Sequence, residues 1–201
     1  MNGNHVFPWW AGYWLLNPLR KLKLNPREFL VGYVSPGMVI LDAGCAMGFF
    51  SIPLAQMTGP TGKVFCVDPQ KKMLDVLVKR AEKRQLSEII DVRLCTYASL
   101  LVDALAGRID LALAVGVLHE TRDKKAFIRD IALTLKPGGI FIFSEPHVIK
   151  PAEFEEELGM IEKSDFMVVK KMHKGHNKIA VLHKNSWNEG HQSCQRATQA
   201  A

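Results

Sequence analysis

Short runs of apolar residues alternate with amphipathic stretches along most of this 201-residue chain. Met38 to Leu41, Lys63 to Val67, Ile109 to Val117 and Ile140 to Phe143 are short, largely apolar runs, the pattern of strands buried on both faces, and Ile90 to Cys95, with Asp91 and Arg93 in alternation, reads as a further strand. Between them lie stretches with helical period: Phe49 to Met57, Gln70 to Gln85 (Met73, Leu74, Leu77, Val78 and Ala81 on one face), Thr121 to Leu135 and Ala152 to Lys163. A short helix is expected around Leu100 to Ala106, and Phe29 to Val34 reads as a helix end. Phe166 to Val169 and Ile179 to Leu182 flank His173 to Lys178 and predict an antiparallel hairpin. Strand and helix alternate, so the expectation is an α/β fold: a doubly wound, mostly parallel seven-stranded sheet ending in an antiparallel hairpin.

Composition narrows the organisation. Hydrophobic residues make up 48% and charged residues 23%, a globular balance that fits one domain. The expected division is an aromatic N-terminal arm over 1–34, a ligand-binding domain over 35–185 and a polar, disordered tail over 186–201. The arm carries Trp9, Trp10, Tyr13 and Trp14, broken by Pro8 and Gly12 and followed by basic Arg20 to Lys23. It reads either as a membrane-surface segment or as a flap whose aromatics cover a ligand pocket, and the breaks favour the flap. No apolar run reaches the ~20 residues needed to span a membrane, and a cytoplasmic protein is expected.

The net charge of +6 is spread over helix faces and the hairpin without a nucleic-acid module, so nucleic acid is not expected as a partner. Cys45, Cys66, Cys95 and Cys194 lack metal-type spacing, and no metal is expected. Buried packing is the usual fate of such thiols. Neighbouring strands could also bring Cys45, Cys66 and Cys95 together as a soft-metal trio.

The chemistry concentrates in Asp42-Ala43-Gly44-Cys45-Ala46-Met47-Gly48, where a strand ends in an acid and a small-residue turn leads into a helix. A dinucleotide fold wants G-x-G-x-x-G here, so that pyrophosphate meets a helix N-terminus. An acid placed before the glycines suits an ammonium group better than a pyrophosphate.

Val39 to Gly48 resembles motif I of class I S-adenosylmethionine-dependent methyltransferases. Asp68 ends the second strand as the ribose-binding acid of that family does. Asp110 to Glu120 is similar to its fourth strand and following Leu-His, and Leu133 to Gly139 to its Leu-Lys-Pro-Gly-Gly turn. The resemblance covers residues 35–185 and implies a Rossmann-like fold, S-adenosylmethionine as cofactor and S-adenosylhomocysteine as product. It places the Gly44–Gly48 turn, with Cys45 and Ala46, beside the methionine part. Asp42 would hold the amino end, directly or through water. Asp68 would face the ribose hydroxyls, and Pro69 or Gln70 would border the adenine. Cys95, Thr96, Tyr97 and Ala98 would edge the ring, and Val115, Gly116 and Val117 would pass under the sulfonium. Two positions depart from the family pattern. Ala46 replaces a glycine, and Tyr97-Ala98-Ser99 lacks the acid that often meets the adenine amino group.

The activated methyl group requires mainly alignment and exclusion of water, plus a general base if the acceptor is protonated. His119 is the candidate base; its structural alternative is a residue that caps or packs at the helix start. Glu120, Glu145 and His147 are further candidates. With no N-P-P-Y sequence after the fourth strand, a small-molecule acceptor is expected, contacted by Trp9, Trp10, Tyr13 and Glu145. A macromolecular acceptor and a non-catalytic cofactor-binding protein are the alternatives. A monomer or homodimer is expected, with membrane contact open only through the arm.

Overall fold

The computed structural model describes residues 24–186. Trp9, Trp10, Tyr13 and Cys194, and with them the arm before residue 24 and the tail beyond 186, lie outside the described residues.

Seven strands form one sheet in the order β3-β2-β1-β4-β5-β7-β6. They are β1 (Val39–Ala43), β2 (Lys63–Asp68), β3 (Ile90–Leu94), β4 (Ile109–Val115), β5 (Leu135–Pro146), β6 (Phe166–Lys174) and β7 (Asn177–Lys184). The first five pair in parallel, and β7 runs antiparallel between β5 and β6. Among the described residues five α-helices accompany them: α1 (Pro26–Leu30), α2 (Ser51–Thr58), α3 (Lys71–Glu82), α4 (Lys124–Thr134) and α5 (Pro151–Glu162).

Alternation along each strand sends neighbouring side chains to opposite faces. Leu41, Phe65, Ala112, Phe141 and Phe143 pack under α4 and α5 through Phe127, Ile131, Phe154 and Leu158. Ile40, Val64, Leu111, Leu113 and Ile142 meet the other layer, Leu30, Leu54, Leu74 and Leu77 from α1 to α3. Both faces are therefore covered, which explains why the central strands are apolar at nearly every position. Helix starts follow local chemistry. Asn25 accepts the Arg27 N–H at 3.1 Å ahead of Pro26, Asp123 accepts the Ala126 N–H at 2.9 Å, and Pro151 opens α5.

Several boundaries differ from the periodicity. The helix near residue 30 is α1, before the predicted end at 29–34. The predicted helix at Phe49 begins at Ser51, because Phe49 and Phe50 form an edge-to-face pair at 5.2 Å in the preceding turn. The helix expected over Leu100 to Ala106 is a single 3-10 turn, Asp103–Leu105. Asp130 accepts the Leu100 N–H and the Ser99 hydroxyl, both at 2.9 Å, and Leu101 sits at φ +55°, so a longer helix cannot start there. The Lys-Pro-Gly-Gly turn belongs to β5. Leu135 pairs with Ile109 and Ile140 with Leu111, so the intervening residues bulge out of the ladder.

This arrangement places the carboxyl ends of β1 and β4 side by side, where chain order reverses across the sheet. Ligands of open α/β sheets bind at such a point. Leu30 is fully buried although it lies outside the sheet, so α1 is part of the core. Leu30→Ala is expected to lower unfolding free energy by about 2–5 kcal/mol, read as a shifted denaturation midpoint. A change near zero would show that α1 does not dock.

Candidate functional site

A cleft of about 380 Å³ opens at the carboxyl ends of β1, β2 and β4. Its floor is built by the turn after β1. The Gly44 and Cys45 N–H groups both donate to the Val67 carbonyl, at 2.8 and 3.1 Å, tying that turn to β2. Asp68, at the end of β2, completes the tie. Its Oδ2 accepts the Ala46 N–H at 3.0 Å and its Oδ1 the Gln70 N–H at 2.8 Å. Burial raises the Asp68 carboxyl above the usual range, and these two donors partly offset it. Each oxygen keeps a further lone-pair direction for a ligand donor.

Gly44 has φ +75°, and a Cβ there would lie 2.4 Å from Val117 Cγ2, so the turn can approach the segment after β4 this closely only with glycine. Ala46 is also in the left-handed region, at φ +47°. The glycine absent from the motif is therefore missed for its backbone conformation at this position.

The cleft brings together most of the residues singled out from the sequence: Gly44, Ala46, Asp68, Pro69, Gln70, Thr96, Tyr97, Ala98, Val115, Gly116, Val117 and His119, with Cys95 and Glu120. Asp42, Cys45 and Gly48 are not among its lining residues. Asp42 is buried and accepts the Ser51 hydroxyl at 2.5 Å; Cys45 is buried against the layer of α1 to α3; Gly48 packs on Leu77 of α3. His147 lies outside the lining as well, its ring 5.2 Å from that of His176. Among the described residues no group of three His, Cys, Asp or Glu converges as metal ligands.

Glu145 requires a correction. It was expected to touch an acceptor, yet it is completely buried and stands behind His119. Its Oε2 lies 2.6 Å from His119 Nδ1, and its Oε1 accepts the backbone N–H groups of Leu118 at 3.1 Å and His119 at 3.4 Å. Burial pulls the His119 imidazole down, but the hydrogen bond to Glu145 and the charges of Glu145, Glu120 and Glu157 outweigh it, leaving the ring raised.

Met73, Ser99, Leu100, Thr121, Phe127, Pro146, Val148 and Asn177 also line the cleft. Ser99 and Leu100 continue the Thr96–Ala98 segment, and Pro146 and Val148 follow the carboxyl end of β5, so their positions in the alternation could have pointed to them. Phe127 and Asn177 carry no local signal; they arrive from α4 and from the hairpin through tertiary folding alone.

With this geometry in place, comparison with known proteins identifies the family. The family model for the methyltransferase domain matches residues 34–198, and the chain belongs to that family. It is 31% identical over 150 residues to the ubiquinone biosynthesis O-methyltransferase of Methylocella silvestris, covering 66% of this chain and 56% of that protein. It is 32% identical over 142 residues to the cypemycin N-terminal methyltransferase of a Streptomyces species, covering 68% and 54%. The chain thus spans about half the length of these relatives. A SAM-dependent methyltransferase structure from Aquifex aeolicus superposes with a TM-score of 0.80 at 20% identity, over 89% of this chain and all of that one. The Thermotoga maritima SAM-dependent O-methyltransferase gives 0.63 at 17%, over 83% and 67%. At those identities the structures establish the shared fold.

Two outcomes test the turn. Ala46→Gly relieves a left-handed alanine and is expected to stabilise the chain by about 0.5–1 kcal/mol in denaturant titrations; a loss would refute the strain. Burial, opposed by the Ser51 hydrogen bond and assisted by the charge of Asp68, raises the Asp42 carboxyl from 3.8 to about 7. A raised carboxyl leaves stability intact below 3.8, where folded and unfolded chains both hold the proton, and stability is lost progressively as pH rises from there through about 7, because only the unfolded chain releases the proton freely. Asp42→Asn should therefore melt several degrees higher than the parent at pH 8, with the gain vanishing toward pH 4. A gain independent of pH would contradict the assignment.

Proposed function

We propose that this chain transfers a methyl group from S-adenosylmethionine to a small-molecule acceptor, with His119 receiving the acceptor's proton. The observation that carries the reading is that one cleft holds both the Asp68-tied glycine turn and His119 on its walls. The residues fit the cofactor. Asp68 offers two acceptor oxygens to a ribose diol, and Pro69, Gln70 and the Thr96–Ala98 segment form a slot for the adenine. The Gly44 turn, with Cys45, Ala46 and Gly48 shaping it, leaves backbone room for the methionine part. Val115, Gly116 and Val117 line the reactive region, and Asp42 acts from beneath the turn on a cationic amino end.

When bound, the sulfonium supplies an activated methyl group; the chain's residues bind it, orient the acceptor and exclude water. The acceptor side is bounded by apolar Phe127, Pro146 and Val148 and by the polar His119, Glu120 and Asn177. Two relatives are named for O- and N-terminal methylation. No helix among the described residues is long and apolar enough to cross a membrane. The three buried free thiols suit a reducing cytoplasm, with the chain acting as a monomer or homodimer.

Calorimetry tests the donor. Titration with S-adenosylmethionine and S-adenosylhomocysteine should give saturable heat and NAD none; heat with NAD alone would overturn the proposal. Asp68→Ala should weaken cofactor binding by about 1–3 kcal/mol, and unchanged affinity would remove Asp68 from the site. Labelled methyl donor incubated with RNA, protein and small-molecule pools should mark the small-molecule pool. Label in RNA or protein would replace the acceptor class.

A further inference from the structure

The position of Glu145 has a consequence for the proton. Its carboxylate makes three contacts, and all three go to one short turn: the Leu118 N–H, the His119 N–H and the His119 ring. The first two go to Oε1, so any proton on the pair lies between Oε2 and Nδ1, 2.6 Å apart. The outer nitrogen, Nε2, is 3.7 Å from Glu120 Oε1, and both side chains line the cleft.

We propose that Glu145 is a positioning residue that holds His119 in the form protonated at Nδ1, so that Nε2 presents its lone pair to the cleft. This rests on the reading in which His119 receives the acceptor's proton. A protonated acceptor that takes the methyl group would pass its proton to Nε2, the electron pair of the broken sulfur–carbon bond staying with the donor's sulfur. A buried carboxylate bound to one ring nitrogen commonly fixes which nitrogen is free to react.

The geometry makes an isosteric change informative. In E145Q the two backbone N–H groups still require an acceptor, so the amide oxygen turns toward them and the amide NH2 meets Nδ1. A donor at that point makes Nδ1 the acceptor and moves the ring proton to Nε2, where the lone pair was needed. Shape and burial are kept while the tautomer inverts. The charged groups around the ring are Glu120 on its own turn, Glu145 on β5 and Glu157 on α5, the last paired at 2.7 Å with Lys124 of α4. Of these only Glu145 touches Nδ1. Its removal should lower the His119 titration point, while Glu120 and Glu157 keep it from falling to that of an isolated buried ring.

The test is long-range proton–nitrogen NMR of the full chain labelled with 15N-histidine, free and with S-adenosylhomocysteine. The parent should show His119 protonated at Nδ1 above its titration point. E145Q should show it protonated at Nε2, with the titration point lower than in the parent. The same tautomer in both proteins would overturn the proposal. So would an Nε2-protonated parent, a result that needs no folded variant. S-adenosylhomocysteine should bind parent and E145Q with affinities within about threefold of each other. Absence of binding to the parent would defeat the methyl-donor reading, and the tautomer result, which needs no donor, would still decide the role of Glu145.

Discussion

A single carboxylate joins the two turns on which the cleft depends. Asp68 takes one N–H from the turn after β1 and one from the turn after β2, bridging the two backbones at the mouth of the sheet. The anchor is an ionisable carboxyl, almost fully buried and at a strand end, where a wrong partner or none would be costly. The parallel strands supply its position. β1 and β2 pair residue by residue up to Ala43 and Val67, so their turns emerge at the same height. The Gly44 and Cys45 N–H groups then reach the Val67 carbonyl, and Ala46 is delivered to Asp68. Sheet register, turn conformation and cleft are one connected constraint.

Much of the frame was legible in the sequence because the constraint on a doubly covered sheet is strong. Strands such as Ile109–Val115 must be apolar at both faces, and few other structures demand that of a short run. The helix stripe of Met73, Leu74, Leu77 and Ala81 was equally plain, since one face alone meets the sheet. Boundaries were less so. The 100–106 stretch has helical composition, but Asp130 from a distant helix captures its first N–H group, and nothing nearby in the chain announces that bond.

The site divides along the same line. Residues on the turn after β1 and at the end of β2 could be read from spacing, since local backbone geometry puts them there. Ala46 shows the limit: its conflict with the motif was visible, but the left-handed conformation at the heart of the conflict is a property of the folded turn. Glu145 shows a sharper one. Its place near a strand end suggested contact with an acceptor, whereas its burial and its bond to a ring 26 residues earlier set it behind His119. Phe127 and Asn177 belong to the cleft through packing of α4 and the hairpin, which no local pattern encodes. The family resemblance reaches the donor side by the same logic and leaves the acceptor side to side chains specific to this chain.

Hydrogen–deuterium exchange with and without S-adenosylhomocysteine tests the central claim most directly, because the Ala46 and Gln70 amides report on Asp68 themselves. A ligand seated on the Asp68-tied floor should slow exchange across residues 44–48, 68–70 and 115–119, with the hairpin beyond Lys178 unchanged. Saturating ligand that leaves those three segments exchanging at their free rates, or that protects a different part of the sheet, would contradict the account.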